Sequence, residues 1–438
     1  MSRSLHRAGR IASRLCIAIA IAAWAPAARA AAGIELWHSL AGAGAAELER
    51  IAAEFNASQH DYAVQPLFKG NGREALEAGM AAQRQGQAPH LLQVEDSLTA
   101  KLAGSPKSFV PVYQVMERAK QPLSASAFLP LVADGSKDSR GRLVSLPFTA
   151  ATPLLYYNRD AFKAAAIEPD APLDTWLNVQ AVALKIIDSG ASCAFTSESP
   201  SWVHVENLFA GHNEPLAAVR NGPRGKEIRL AFNSRLMILH IGLLSSWVSS
   251  GLFSYFGGQE AEAKFAAGEC AMFTGSSSSI MDLRGKAQFA LGVAPLPVHS
   301  DFAGAQAGTA PHGASLWVMS GKKPAEYTGV ARFLAYLARP AVQAQWHQAT
   351  GYLPTTQAAL DLARKQGFYE RDQEAAIAVR GLRGATTGRL AQAPAVREIV
   401  DEELEAVWAR RKTPMEGMDA ALTRGNKLLG TLPPPAPK

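Results

Sequence analysis

The sequence predicts an α/β protein of two or three lobes behind a cleavable export signal. Three observations carry this expectation. Strand-like and helix-like segments alternate after the first thirty residues in the order β-α-β-α-β, which builds a mostly parallel sheet with right-handed crossovers. The chain has 438 residues, and domains of roughly 100–200 residues imply two or three units. Residues 1–30 are arginine-rich and then apolar, the composition of a targeting segment and not of a fold.

Arg3, Arg7, Arg10 and Arg14 make a basic end, Leu15 to Ala25 an apolar run, and Pro26 a break before Ala28-Arg29-Ala30, a small-x-small exit. The run is too short to span a membrane, which takes about 20 residues. Cys16 lacks the small residues before it that lipid attachment needs. With Arg29, this segment holds five cations and no acid, so the formal +6 of the chain falls to about neutral beyond it. The basic character therefore gives no support to nucleic-acid binding. A 48% hydrophobic, 19% charged composition is globular, and 3 cysteines exclude a disulfide framework. Export would place Cys193 and Cys270 in an oxidising compartment, where a disulfide and two buried thiols are both open.

Ile34–Trp37 reads as a strand, and Ala45–Phe55 has the helical spacing Leu48, Ile51, Ala52, Phe55. Tyr62–Phe68 alternates as a strand. Arg73–Gln85 is helical and ends at Gly86. Leu91–Val94 is a short buried strand. A second unit opens near residue 150 with the strand Pro153–Asn158. A helix follows to about Ile187, capped by Asp174 or Thr175. Further helices are expected at 234–248, 260–267, 327–338 and 341–348, and strands at 271–273, 290–298 and 314–319. Pro394 opens a long helix to about Arg411. The proline-rich end, 433–437, reads as an extended tail.

Catalytic and metal motifs are missing, and the ten histidines are scattered without ligand spacing. Four weaker signals suit an anion. Gly275 and Ser276–Ser279 lie between a strand and a helix, where backbone N–H groups meet a positive helix end; taken alone, plain serine capping is the better explanation. Gly313, in Pro311-His312-Gly313-Ala314-Ser315, reads as a turn before a strand where a ligand could approach the backbone. Tyr352 follows Gly351 at a helix end and alone would be half-buried core. Arg397 alone would be a solvated arginine paired with Glu398 or Asp401.

These signals fall into one order with other blocks: Ile34-Glu35-Leu36-Trp37-His38-Ser39, Phe68-Lys69-Gly70-Asn71, Leu92-Gln93-Val94, Leu146-Pro147-Phe148, Tyr156-Tyr157-Asn158, Gly268-Glu269-Cys270-Ala271-Met272, Gly313 to Met319, and Gly351-Tyr352-Leu353-Pro354. The order resembles the extracellular solute-binding proteins of bacterial ABC importers, the family that includes maltose-binding proteins. Within it, the likeness is to the branch that takes glycerol-3-phosphate. The Tyr-Tyr-Asn and later Thr-Trp pattern is shared by many sugar binders; the blocks around Gly313 and Tyr352 are narrower.

The resemblance implies a two-lobe periplasmic binding protein fold with a hinge and an interlobe ligand cleft. One lobe would take 31–149 and 312–352, the other 150–311 and 353–432, with crossings near 149–152, 300–312 and 353. It implies a phosphate end formed by the Ser276 and Tyr352 hydroxyls, the Gly313 N–H and the Arg397 guanidinium fork. The alcohol end departs from the family. A tyrosine becomes Gly72, a glutamate becomes Asp96 with Glu95 beside it, and a serine becomes Ala151. Of two tryptophans, one falls on Ser199 or Pro200 and the other on Trp202. The implied protein is a periplasmic, monomeric carrier of glycerol-3-phosphate or glycerophosphodiesters. It would deliver them to permease subunits and their cytoplasmic ATPase, with no cofactor, metal or nucleic acid. A carbohydrate binder of the same fold and a binder of another phosphate ester are the alternatives. A secreted phosphate-ester enzyme would need a metal cluster or an activated nucleophile, and neither is visible.

Overall fold

A computed structural model describes residues 31–222, 225–305, 308–383 and 394–431. The expected export segment and the expected proline-rich tail lie outside these residues. Strands β1 (Ala32–His38), β2 (Tyr62–Phe68), β3 (Leu91–Glu95), β4 (Phe109–Val110) and β5 (Leu146–Ala151) precede β6 (Pro153–Asn158) and β7 (Phe195–Ser197). A hairpin, β8 (Ala217–Gly222) and β9 (Gly225–Leu230), is followed by β10 (Met272–Ser276), β11 (Leu291–Pro295) and β12 (His312–Met319).

Two sheets form. The first runs β2-β1-β3-β12-β4, with β5 also on β12; the second runs β11-β6-β10-β7. As expected, β1 is parallel to both β2 and β3. The sheets are mixed, however, since β12 is antiparallel to β3, β4 and β5, and β6 is antiparallel to β10 and β11. Parallel pairing is found in the opening β-α-β-α-β unit, where it was expected, and again between β7 and β10. Later strands return from the other sheet and owe their direction to that route, not to a helical crossover.

β5 and β6 belong to different sheets with only Thr152 between them. Thr152 is fixed on both sides: its N–H donates to Ser277 Oγ (3.3 Å), and its carbonyl accepts from the Ser277 N–H (2.8 Å). Near the third expected crossing, the Leu353 N–H donates to the Ala150 carbonyl at 2.6 Å.

Local chemistry sets the helix ends. Asn71 and Glu74 make a capping box on helix Gly72–Arg84. Of the two candidates before helix Trp176–Asp188, Thr175 is the cap, accepting from the Asn178 N–H at 3.1 Å. Gly351 ends helix Pro340–Thr350 at φ 76°, a left-handed conformation suited to glycine. The first core gathers Ile34, Leu36, Phe148, Leu316 and Trp346, and the second gathers Trp176, Phe195, Trp247, Val400 and Leu404.

Cys193 and Cys270 stand just before the parallel neighbours β7 and β10 and are disulfide-bonded, Cα atoms 4.6 Å apart. The pairing of these two strands decides between the two states the sequence left open.

The histidines are not all isolated. The Ser197 hydroxyl donates to the Glu198 carbonyl (3.2 Å), which leaves its oxygen to accept from His204 Nε2 at 2.8 Å. The pattern then runs in one direction. His240 Nε2 donates to His204 Nδ1 (3.1 Å), and His299 Nε2 donates to His240 Nδ1 (3.0 Å). Burial holds His204 down to about 3, His299 down to about 4 and His240 well below its usual value. These groups are neutral in the folded state and protonate in the unfolded state near 6.5. Their stabilisation is complete above that value and is lost as pH falls toward 4. Lowering pH from 7 to 5 should remove about 2 kcal/mol for each of the fully buried His204 and His240. Glu198, held at about 7 in the fold, changes stability in the opposite sense over this range. The test therefore compares urea unfolding of the protein and of a His240→Asn variant at both pH values: the protein should lose about 2 kcal/mol more than the variant on going to pH 5, and an equal loss would contradict the neutral chain.

Candidate functional site

The expected site residues meet where the two sheets face each other. Arg397 lies on helix Pro394–Trp408 and is buried, not solvated. Its expected partners Glu398 and Asp401 are both engaged elsewhere. Glu398 pairs with Arg73 at the surface, and Asp401 accepts from the Ser201 N–H at 2.8 Å. Arg397 is instead held bidentately by Glu206: Nε donates to Oε1, and Nη2 donates to Oε2 at 2.8 Å. The Arg397 and Glu206 side chains are 8% and 1% exposed, so this pair is out of water. The fork expected for a phosphate is therefore occupied. Nη1 remains, buried and without a partner among the described residues. Burial opposes the guanidinium charge, but Glu206, then Asp96 and Asp401, hold its pKa above the usual value.

Glu206 was not legible as a site residue from the motifs. Its signal is an acid inside the apolar helical stretch Trp202-Val203-His204-Val205-Glu206-Asn207-Leu208-Phe209. A charge there must be paired.

Ser276 ends β10 and caps the turn Ser277–Ser279, its Oγ accepting from the Ser278 N–H at 3.2 Å. The bland capping reading thus holds for its hydroxyl. Its own N–H donates to Glu198 Oε1 at 2.6 Å. Burial pushes Glu198 up to about 7, opposed by that N–H and reinforced by Glu262. The Ser276 and Ser278 hydroxyls are 2.8 Å apart, and Ser278 also faces the Tyr352 hydroxyl, whose pKa burial pushes up to about 12.

Tyr352 is firmly set. Its ring stacks on Trp346 with centroids 5.8 Å apart, and its carbonyl accepts from His347 Nδ1 at 2.6 Å. His347 Nε2 in turn accepts from the Tyr369 hydroxyl at 3.0 Å. Tyr352 also packs against the cluster of Ala151, Trp202 and Val203. Trp202 is anchored by its Nε1–H on the Ala310 carbonyl at 2.8 Å. Ser199, the other position compared with a family tryptophan, is exposed.

Gly313 corrects an expectation. It sits inside β12 opposite Ala150, not in a turn. A Cβ there would lie 1.9 Å from the Thr149 carbonyl oxygen, so close strand packing requires glycine. Its N–H donates to Asp96 Oδ2 at 3.1 Å. Asp96, expected at the alcohol end, thus bonds directly to Gly313, expected at the phosphate end. Gly72 opens its helix against Glu95, whose carboxylate oxygens lie 2.1 and 2.7 Å from where a Cβ would stand.

The halves touch across this region. The Ala43 N–H donates to Asp282 Oδ1 (3.1 Å), Arg73 pairs with Glu398, and helix Pro394–Trp408 packs on the turn Asp96–Leu98. A cavity of about 330 Å³ lies elsewhere, lined by Thr152, Asn207, His212, Val298, Thr309 and Arg380; none of the eight expected site residues lines it. Among the described residues no acid, histidine or cysteine group could hold a metal, and no helix is long and apolar enough to cross a membrane.

Two sheets sharing chain crossings, with a buried arginine and aromatic wall between them, define a solute-binding protein. The chain belongs to the bacterial extracellular solute-binding protein family, whose profile matches residues 50–376. It is 42% identical to the sn-glycerol-3-phosphate-binding periplasmic protein UgpB of Yersinia pestis bv. Antiqua (strain Antiqua) over 436 residues, 98% of each chain. It is 43% identical to the protein of the same name from Escherichia coli O6:K15:H31 over 426 residues, 95% of this chain and 96% of that one. In fold it resembles UgpB from Mycobacterium tuberculosis in complex with glycerophosphocholine: TM-score 0.76, 19% identity, 91% of this chain and 98% of that one. A maltose-bound MalE3 of T. maritima is similar at TM-score 0.71, with 16% identity and 91% and 100% coverage.

Removing the Glu206 carboxylate strands a buried guanidinium. Glu206→Ala should lower unfolding stability by about 3–5 kcal/mol, the range for breaking a buried pair from one side. Denaturant unfolding would check this, and a loss under about 1 kcal/mol would mean water reaches Arg397.

Proposed function

We propose that the protein is the periplasmic capture component of an ABC importer for glycerol-3-phosphate and glycerophosphodiesters. The observation that carries the reading is the buried Arg397, whose Nη1 has no acceptor among the described residues. A buried donor of this kind is costly unless something completes it. Phosphate oxygens would be such acceptors, and the Ser276 and Tyr352 hydroxyls, which both meet Ser278, would be further donors to them. The Gly313 N–H joins them when Asp96 yields it. The names of the relatives agree with this ligand class.

The mechanism is a hinge-closing trap. Residues 31–149 and 312–352 act as one lobe and 150–311 and 353–432 as the other. The connection at Thr152 and those near 300–312 and 353 let them rotate. Ligand contacts from both lobes stabilise the closed form, which the membrane permease reads while its ATPase drives transport. The carrier is a monomer, exported by its first thirty residues, and binding needs no covalent step or cofactor.

A carbohydrate reading has one observation in its favour, the apolar wall of Trp202 and Tyr352. It gives Arg397 no task. Calorimetric titration of the mature protein with glycerol-3-phosphate and with maltose separates the two. Glycerol-3-phosphate should bind and maltose should not. Arg397→Ala should weaken phosphate-ester binding by at least about 2 kcal/mol, roughly 30-fold. Unchanged affinity in that variant, or tight maltose binding, would refute the proposal.

A further inference from the structure

We propose that Asp282 is a clasp between the two halves: it caps the first helix of the opposite half, and so sets how tightly the cleft holds a ligand that it does not touch. This rests on the hinge-closing reading above and names a residue that governs closure.

The first observation is a helix start without a local cap. Helix Gly42–Ala57 lies between β1 and β2 of the first sheet. The first N–H groups of any helix have no partner within it, and a polar side chain at the entry normally supplies one. Here the entry residue is Ala41, which has no such group, and the first turn holds no acid. The Ala43 N–H instead donates to Asp282 Oδ1 at 3.1 Å, 239 residues away. Asp282 lies on helix Ile280–Lys286, between β10 and β11 of the second sheet. A carboxylate placed there also meets the positive end of the helix.

The second observation is steric. Gly42 has φ 51°, a left-handed conformation suited to glycine. A Cβ on it would lie 2.1 and 2.5 Å from the two Asp282 carboxylate oxygens. The helix start is therefore shaped to admit this one side chain from the other half. Arg73 and Glu398 also meet across the halves, but their side chains are 54% and 50% exposed, and such pairs contribute little.

The third observation is where the clasp sits. The turn Ser277–Ser279 runs straight into helix Ile280–Lys286, so the segment that presents Ser276 and Ser278 also carries Asp282. On the other side, an ideal Cβ on Gly44 would stand 3.4 Å from the Tyr352 ring, so the capped helix packs against that ring. A ligand held by Ser276 and Tyr352 fixes the two elements that Asp282 joins. The clasp in turn holds those donors in place for the ligand, and the two contacts strengthen each other.

The test titrates the mature protein with glycerol-3-phosphate by calorimetry. Asp282→Ala should weaken binding about tenfold, while Asp282→Asn, which keeps the Oδ1 acceptor, should stay within about threefold. Unchanged affinity in Asp282→Ala would overturn the proposal. So would equal losses in the two variants, which would assign the effect to the charge of Asp282 on its own helix. Gly42→Ala should also weaken binding, yet add less than about twofold once residue 282 is Ala; independent, multiplying losses would contradict the shared socket. If glycerol-3-phosphate does not bind the unmodified protein, the phosphate-ester reading falls. Small-angle scattering of the ligand-free proteins then decides for the clasp: Asp282→Ala should be more extended than the unmodified protein, and identical profiles would overturn it.

Discussion

The site depends on one buried ion pair. Glu206 and Arg397 are 191 residues apart in sequence, and their pairing pins helix Pro394–Trp408 to the helical segment Trp202–Glu206. Taking both charges out of water is expensive, and close bidentate geometry is what offsets the cost. The pair uses two of the three guanidinium nitrogens and leaves the third without a partner among the described residues. In the proposed function, that remainder turns a structural contact into a binding group, since the guanidinium is already oriented before a ligand arrives. Asp96 and Glu198 do something related for the backbone donors, holding the N–H groups of Gly313 and Ser276.

Around this pair the scaffold removes freedom from each wall. Tyr352 is clamped by Trp346 on its ring and by the His347–Tyr369 relay on its carbonyl. Gly313 lets β12 and β5 approach beside Thr149. Thr152, the single residue between strands of different sheets, exchanges hydrogen bonds with Ser277 next to Ser276. Hinge and site are thus built from neighbouring residues, and a ligand that reorders Ser276 acts directly on the crossing. The disulfide and the neutral histidine chain stiffen the second half, where Ser276 and Arg397 reside.

Local chemistry made much of the fold legible. Strand β2 matches its expected limits, and Thr175, Gly351 and Pro394 mark helix ends through capping, left-handed backbone and a missing N–H. The antiparallel placing of β12 was not legible, because it depends on a partner more than two hundred residues away. The candidate residues came from a family likeness, and the structure does bring Ser276, Tyr352, Trp202, Ala151 and Arg397 together. Their hydrogen-bond partners were hidden for a physical reason. Glu206, Glu198 and Glu95 are ordinary acids in sequence, and only three-dimensional proximity shows which donor each one holds or which space it fills. Gly313 looked like a turn because glycine before a strand usually is one; here it serves close packing inside the strand.

A crystal structure of the mature protein grown with glycerol-3-phosphate tests the central claim most directly. The account predicts phosphate oxygens within hydrogen-bond distance of Arg397 Nη1 and of the Ser276 and Tyr352 hydroxyls, with the Glu206–Arg397 fork intact. Phosphate bound outside the cleft, or Arg397 swung away from Glu206 to grip it, would contradict the account.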